Sequence, residues 1–492
     1  MHSGAFMGSD VIEPLDATGG HQLASSWPSQ FEADVVREAF GTRLGGYTIA
    51  LEAWRRGLQV RFFDSQLRRY ELSDGSTRIR FDKTRPSLTT RAAIAVEQNK
   101  HLTNSRLHEA GVPVPTSRVL DPFAADAEKE LLIFAEDTGY PLVLKPLRGS
   151  MGRDVFTNLS TPVELVETFQ YLAARCADGE KLVLESHFTG EDYRVLVVGD
   201  RVVAACLRRP ANVVGDGTST IQELIDQKNS VRLANPYLCK KLIKRDREVD
   251  QYLKRHGYNL SDVPSTGCEV MLRGKANASQ GGDSIDKTVE LPDAVKDAAV
   301  RAVAAVPGLA IAGVDVLFDS SRTPVEDSFR VIEMNSRPEI EINMYPWEGT
   351  GQDVPLHILD AFFPSSMRRQ APQIGKLGLN LEQLLAPLQG ASANEVTANT
   401  MPSHAYPTRL SYGLRGPSSF SAPDKNLVHL AARRAGVSGR VEEVGGVGRL
   451  LLSGTEEGTR KFLRSESLRL AVDEGSKERW NGVVMQGFYF DS

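Results

Sequence analysis

Between Tyr193 and Arg208 the chain reads YRVLVVG, Asp200, RVVAACLR. These are two apolar, β-rich runs separated by Gly199-Asp200, and a turn that short suits glycine and aspartate, which tolerate positive φ. A tight hairpin makes its two strands antiparallel neighbours. More buried-type strands read at LVLK (142–145), LVLE (182–185), Ala312–Phe318 and Phe329–Met334, with helical patterns at Thr161–Ala177, Ile221–Lys228 and Pro292–Val306. The fold class expected is α+β with largely antiparallel sheets.

At 492 residues the chain exceeds one typical domain, and two or three are expected. Near the N-terminus, Gly46–Gly57 has a helical pattern that closes on a glycine, and Leu58–Phe63 reads as a strand. Arg68–Phe81 forms two alternating runs around Asp74-Gly75, and a long helix is predicted from Ser87 to Ala110. After Phe363 the composition changes. Pro387–Pro407 is rich in Ala, Ser, Thr, Asn and Pro and reads as a linker. Ser411–Ser492 carries strand, helix, strand, strand, helix and strand signals, enough for a small further domain.

The 58 Lys+Arg against 63 Asp+Glu give a formal charge of −5, which advertises neither nucleic acid nor an anionic membrane. The basic cluster Lys240, Lys241, Lys244, Arg245 and Arg247 is interleaved with Asp246 and Glu248 and reads as a solvated helix face. Cys176, Cys206, Cys239 and Cys268 are scattered, without a C-x-x-C pair, as in a reducing compartment. The opening MHSGAFMGSDVIEPLDATGG has neither a basic start nor an apolar stretch and reads as a disordered leader. A cytoplasmic protein is expected.

Four segments could carry chemistry. Lys145 ends a strand and is followed by Arg148-Gly149-Ser150-Met151-Gly152, a turn whose backbone N–H groups can cradle phosphate; it is no Walker loop, because the lysine precedes the glycines. Glu185-Ser-His-Phe188 and Asp192 place carboxylates at a strand end, where they could meet an adenine amino group and ribose hydroxyls, or merely water. Asp315, in GVDVLF, and Glu333 and Asn335, in VIEMNSRP, are hard oxygen donors suited to Mg²⁺, and residues two apart on a strand project to one face. Arg273 precedes a small-residue loop with Asn277, Ser279 and Gly281-Gly282, suited to a transferring phosphoryl group or a carboxylate, and equally to a flexible surface loop.

Taken in order, these segments resemble the ATP-grasp superfamily, most closely the ATP-grasp parts of cyanophycin synthetase and of bifunctional glutathione synthetase. The similarity is carried by RAAIAVEQNKHLTNSRLHEAGVPVP, YPLVLKPLRGSMGRDV, LVLESHFTGEDYRVLVVGDRVVAACLRRPANVVGDGTSTIQELIDQKN, LRGKANASQGGDSID and GVDVLF with VIEMNSRPEI. The resemblance implies an N-terminal α/β pre-ATP-grasp domain at 29–92 after a leader at 1–28, and an ATP-grasp domain at 93–365. A linker at 366–408 and a C-terminal acylphosphatase-like or ferredoxin-like domain at 409–492 would follow, without the acylphosphatase asparagine. It implies a carboxylate–amine ligase using ATP and Mg²⁺, two ions, with Mn²⁺ as a substitute, and an acyl-phosphate intermediate.

By the same resemblance Lys100 and Lys145 contact the phosphates and Gly149, Ser150 and Gly152 cover them. Glu185 and the backbone near Phe188 hold the adenine, and Asp192 the ribose. Asp315, Glu333 and Asn335 ligate magnesium. Arg273 stands beside the acyl phosphate, with Arg194, Arg209 and Asn212 lining the cleft, while Asn277, Ser279 and Arg337 face the joined substrates. Amino acids or peptides are the implied substrates, a homodimer is compatible with the superfamily, and no nucleic-acid or membrane partner is expected. A small-molecule kinase and a non-catalytic ATP-binding scaffold are the competing readings.

Overall fold

The Gly199-Asp200 hairpin lies at the middle of a five-stranded sheet. In the computed structural model, which describes residues 25–147, 154–369, 371–402, 406–414, 422–465 and 472–490, the sheet order is Asp283–Asp286, Arg201–Arg209, Glu191–Val198, Ile311–Phe318, Phe329–Asn335. Every neighbouring pair is antiparallel. One face is apolar: Tyr193, Val195, Val197, Ala205, Leu207, Ala312 and Val314 pack with Val295, Ala298, Ala299 and Ala302 of the helix Asp293–Ala304. The alternation that buries these residues sends their sequence neighbours to the opposite face, where the candidate site lies.

A second antiparallel sheet has the order Ser117–Leu120, Leu182–Ser186, Leu142–Pro146, Phe156–Leu159. Leu142, Leu144, Leu182 and Leu184 form its core with the helices Ala127–Thr138 and Pro162–Ala173. The single helix predicted over Ser87–Ala110 is two, Arg91–Glu97 and Lys100–Glu109. Asn99 breaks it: its backbone is extended and its side chain accepts from the Leu102 N–H at 3.1 Å, so it starts the second helix instead of continuing the first.

The N-terminal sheet runs Val396–Thr397, Gln59–Phe62, Arg69–Ser73, Arg78–Asp82, Arg85–Pro86, with the helix Leu44–Arg55 buried along its whole length against it. Its outermost strand comes from the segment read as a linker, and that reading is corrected here. Ile374, Leu377, Leu379, Leu381, Leu385, Ala398 and Met401 are buried in one core with Tyr47, Trp54 and Phe62. Leu381–Gln389 is a helix capped by Asn380, and Leu377–Leu379 pairs in parallel with Val484–Gln486. The buried Arg55 guanidinium donates to the Gly375 and Leu377 carbonyls at 2.9 and 3.0 Å, fixing the segment to the N-terminal helix. Of the expected leader, residues 1–24 lie outside the described residues. Its last part is packed: Ser25–Ser26 pairs with Gly349–Thr350, and Trp27 meets Tyr345 edge-on at 5.7 Å.

The C-terminal segment runs strand, helix, strand, strand, helix, strand over Thr408–Leu414, Ala422–Ala435, Ser438–Val444, Val447–Gly454, Glu456–Leu463 and Val472–Arg479. In the sheet its strands lie in the order fourth, first, third, second, and Phe488–Phe490 adds in parallel beside the second. Among the described residues no helix is long and apolar enough to cross a membrane.

Candidate active site

On the central sheet's second face, strand register brings the polar residues into rows. Arg194 stands opposite Asp315, and Asp315 opposite Glu333. In the adjoining row Asn335 faces Gly313, whose missing side chain leaves room for Arg194: a Cβ there would lie 2.9 Å from Arg194 Nη1. On the other side Asp192 faces Arg208. A β-bulge makes this possible. Asp315 pairs with Glu333 but Val316 pairs with Val331, so Ile332 is an extra residue. Without it, Val331 would share a face with Glu333; with it, Val331 and Met334 are buried in the apolar core while Glu333 and Asn335 stay on the polar face.

The resulting charge network is dense. Asp315 forms ion pairs with Arg194 and with Arg208, the latter at 3.0 Å, and Arg208 also pairs with Asp192 at 2.5 Å. Burial pushes the Asp192 carboxyl above its ordinary value, the Asp315 charge adds to this, and Arg208 pulls the other way. Burial would lower Arg208, but the Asp315 and Asp192 carboxylates outweigh it and hold the guanidinium charged. Arg208 was not singled out in the sequence: counting back from the hairpin turn places Leu207 opposite Asp192, and an irregularity between Leu196 and Val197 shifts the register so that Arg208 stands there instead. Glu333 is less engaged. Its side chain is 48% exposed, and Lys100 Nζ approaches at 3.8 Å, beyond hydrogen-bond range. Neighbouring Glu97 accepts from the Ser336 hydroxyl at 3.2 Å, and burial, opposed by that bond and aided by the Glu333 charge, raises its pKa.

This donor set fits a divalent cation. Two carboxylates from paired strand positions and an amide oxygen one row away are hard ligands, and Glu333 keeps open lone pairs. Asn335 Oδ1 accepts one bond, from the Arg337 N–H at 2.9 Å, and retains a second lone pair. A cation bound there would supply charge neutralisation beside Arg194, Arg208 and Lys100.

From the second sheet, Lys145 and Glu185 form a buried ion pair, Nζ to Oε2 2.5 Å, each residue under a tenth exposed. Phe188 is nearly buried, with the Arg322 and Arg330 guanidinium groups 4.4 and 5.1 Å from its ring centroid. Gly149, Ser150 and Gly152 lie outside the described residues.

The Arg273 segment differs from its expected picture. The loop after it ends at Gly282, and Asp283–Asp286 is the edge strand of the central sheet. Arg273 is 2% exposed and its guanidinium is engaged by two carboxylates, Asp246 at 2.5 Å and Glu248, at the start of the helix Arg247–Arg255. Arg209 pairs with Glu269 at 3.4 Å. Asn212 donates to Asp283 at 2.9 Å, within a buried cluster in which Asp283 also binds Lys228 at 2.6 Å and Arg232 at 2.7 Å. Asn277 caps a short turn by accepting from the Ser279 N–H, 2.9 Å. Ser279 and Arg337 line one cavity, and Arg337 pairs with Asp82 at 3.0 Å. Sequence reasoning passed over the Lys228–Arg232–Asp283 cluster; the spacing of Lys228 and Arg232, four apart on one helix face, was the available signal.

Comparison with proteins of known structure identifies the fold. The chain superposes on the crystal structure of a bifunctional glutathione synthetase from Pasteurella multocida with a TM-score of 0.51 and 25% identity, over 64% of this chain and 43% of that one. It has the fold of the ATP-grasp ligases. Over 358 residues, 70% of this chain, it is 33% identical to cyanophycin synthetase of Trichormus variabilis, covering 38% of that protein. Over 322 residues, 64% of this chain, it is 30% identical to the glutathione biosynthesis bifunctional protein GshAB of Clostridium perfringens, covering 40% of it. The chain spans between about a third and a half of the length of the curated relatives it matches. No protein-family model matches it.

Proposed function

We propose that the protein is an ATP-dependent carboxylate–amine ligase that forms a peptide or related amide bond, with release of ADP and phosphate. The observation that carries this reading is the row Arg194, Asp315, Glu333 on the central sheet, with Lys100 beside Glu333. It combines oxygen donors for a metal with fixed positive charge, which phosphoryl transfer requires. The similarity to cyanophycin synthetases and to GshAB supports ligation over other uses of ATP.

In the proposed reaction a substrate carboxylate oxygen attacks the γ-phosphorus of ATP, the bond to the β-γ bridging oxygen breaks, and ADP leaves. An amine then attacks the acyl carbon, the C–O bond to phosphate breaks, and the amine's proton is lost as the amide forms. Asp315, Glu333 and Asn335 would hold magnesium, whose role is to neutralise the phosphate oxygens. Lys100, Lys145 and Arg194 would hold the phosphate tail in line, Glu185 and Phe188 the adenine, and Asp192 the ribose. The catalytic contribution is orientation and preorganised charge. Residues 29–92 are read as the pre-ATP-grasp domain. The strand order of 409–492, fourth, first, third, second, supports the ferredoxin-like reading of the C-terminal domain.

The test is phosphate release from MgATP with amino acids and short peptides supplied singly and in pairs. Release that needs both an acid and an amine is expected. ADP without free phosphate would mean a kinase, and no turnover with any pair would mean a scaffold.

A further inference from the structure

A cavity of about 850 Å³ opens on the N-terminal sheet, between the strands Arg69–Ser73, Arg78–Asp82 and Arg85–Pro86 and the loop that follows the helix Leu381–Gln389. None of its lining residues belongs to the row Arg194, Asp315, Glu333 or to the Lys145–Glu185 pair. Phe63, Ile94 and Leu388 supply apolar wall, and Arg69, Arg80 and Arg85 supply charge. The volume lies within the usual range for small-molecule sites.

The two acids of the lining are already committed. Asp64 accepts from the backbone N–H groups of Gln66, Arg68 and Arg69 at 2.9, 3.1 and 2.7 Å. Asp82 is shared by Arg85 at 2.7 Å and Arg337 at 3.0 Å. The guanidinium groups, by contrast, keep open donors among the described residues. Arg69 lies 3.6 Å from Asp64, beyond hydrogen-bond range, with its side chain 71% exposed. Arg80 binds Glu71 through Nε at 2.9 Å and lies over the Phe63 ring, 5.3 Å from its centroid. Arg85 uses Nη2, on Asp82. A guanidinium carries five donors in a flat fork and stacks on aromatic faces, so three of them beside an aromatic wall suit an anionic group on a flat body. The loop contributes only methyl groups here, at Ala391 and Ala393, and Ala391 is held at φ 53°, a conformation that costs a residue with a Cβ energy and is met at ligand-binding segments.

We propose that this cavity binds a small organic anion, a carboxylate or phosphate carried on a flat apolar body, and that its occupancy is felt at the polar face. The route is short. Arg85 shares Asp82 with Arg337, and the Arg337 backbone N–H donates to the Asn335 side chain at 2.9 Å. An anion held by Arg85 competes with Asp82 for it and so changes how Asp82 holds Arg337. The binding site and the route both stand apart from the ligase reading, and neither needs turnover to be tested.

The test is calorimetry on the full chain with 1-naphthoate and with 1-naphthamide, which has the same rings and no charge. 1-Naphthoate is expected to bind at a single site, and the amide at least tenfold more weakly. Arg85→Gln and, separately, Ala393→Trp, which fills the cavity and keeps every arginine, should each weaken 1-naphthoate at least tenfold. Hydrogen exchange reads the coupling: 1-naphthoate should change the exchange rate of the segment 335–339 at least twofold in wild type and leave it unchanged in Asp82→Ala. No binding of 1-naphthoate, equal binding of acid and amide, or undiminished binding by Ala393→Trp overturns the site. Unaltered exchange in wild type, or the same change in Asp82→Ala, overturns the coupling.

Discussion

Glu333→Gln separates function from folding. The Glu333 side chain is 48% exposed and its described ion partner, Lys100, lies 3.8 Å away. A pair with that exposure and separation contributes about 0–1 kcal/mol, so the substitution should shift Tm by less than about 3 °C. Gln keeps the shape and one oxygen but loses the charge that a divalent cation needs beside the phosphates. Removing such a transition-state contact costs about 3 kcal/mol or more, which lowers turnover at least about a hundredfold. Lys145→Met is the contrasting perturbation. Its pair with Glu185 is buried, so leaving Glu185 alone should cost about 3–5 kcal/mol of stability as well as activity. Phosphate release and thermal unfolding, measured on both variants, decide the matter. Near-normal turnover by Glu333→Gln, or a stability loss equal to that of Lys145→Met, would refute the reasoning.

Asp283→Ala strands Lys228 and Arg232 in the interior and should cost about 3–5 kcal/mol, read as a lower urea midpoint with an unchanged slope. Gly45→Ala drives a methyl group into the Glu341 carboxylate and should destabilise by about 1–3 kcal/mol in chemical denaturation. Burial, aided by the Glu339 charge, pushes the Glu341 carboxyl up to about 7. Because its folded pKa is above its unfolded value of 4.5, the protonated form stabilises the fold below about pH 4.5 and that contribution is lost as pH rises through about 7. Glu341→Gln should therefore match wild type near pH 4.5 and exceed it by about 3 kcal/mol at pH 8, at about 1.4 kcal/mol per pH unit, in denaturation curves at the two pH values.

The central hairpin, the strands that flank it and the order of elements in the C-terminal segment were legible in the sequence because each has a strong local signal: a turn dipeptide, a periodic apolar run, a glycine stop. The positions 315, 333 and 335 were legible as donors, but the bulge at Ile332 that lets Glu333 and Val331 face opposite ways depends on pairing with a partner strand. The same holds for the segment 366–408. Its Ala, Ser and Pro content suggests a linker, whereas its sparse apolar residues, from Ile374 to Met401, find partners in the distant helix Leu44–Arg55 and sheet. Asn99 was readable in hindsight as a helix start inside a continuous pattern. Arg273 shows the limit of residue-by-residue transfer: its two carboxylate partners, Asp246 and Glu248, come from a segment 25 residues or more away in sequence.

The central claim is that Asp315, Glu333 and Asn335 together hold a divalent cation against a nucleotide tail. Crystals grown with Mn²⁺ and ADP, measured for anomalous scattering, test it directly. A peak about 2.1–2.2 Å from oxygens of all three side chains and bridged to the phosphates is predicted. Bound ADP with the metal elsewhere, or crystals that bind neither, would contradict it.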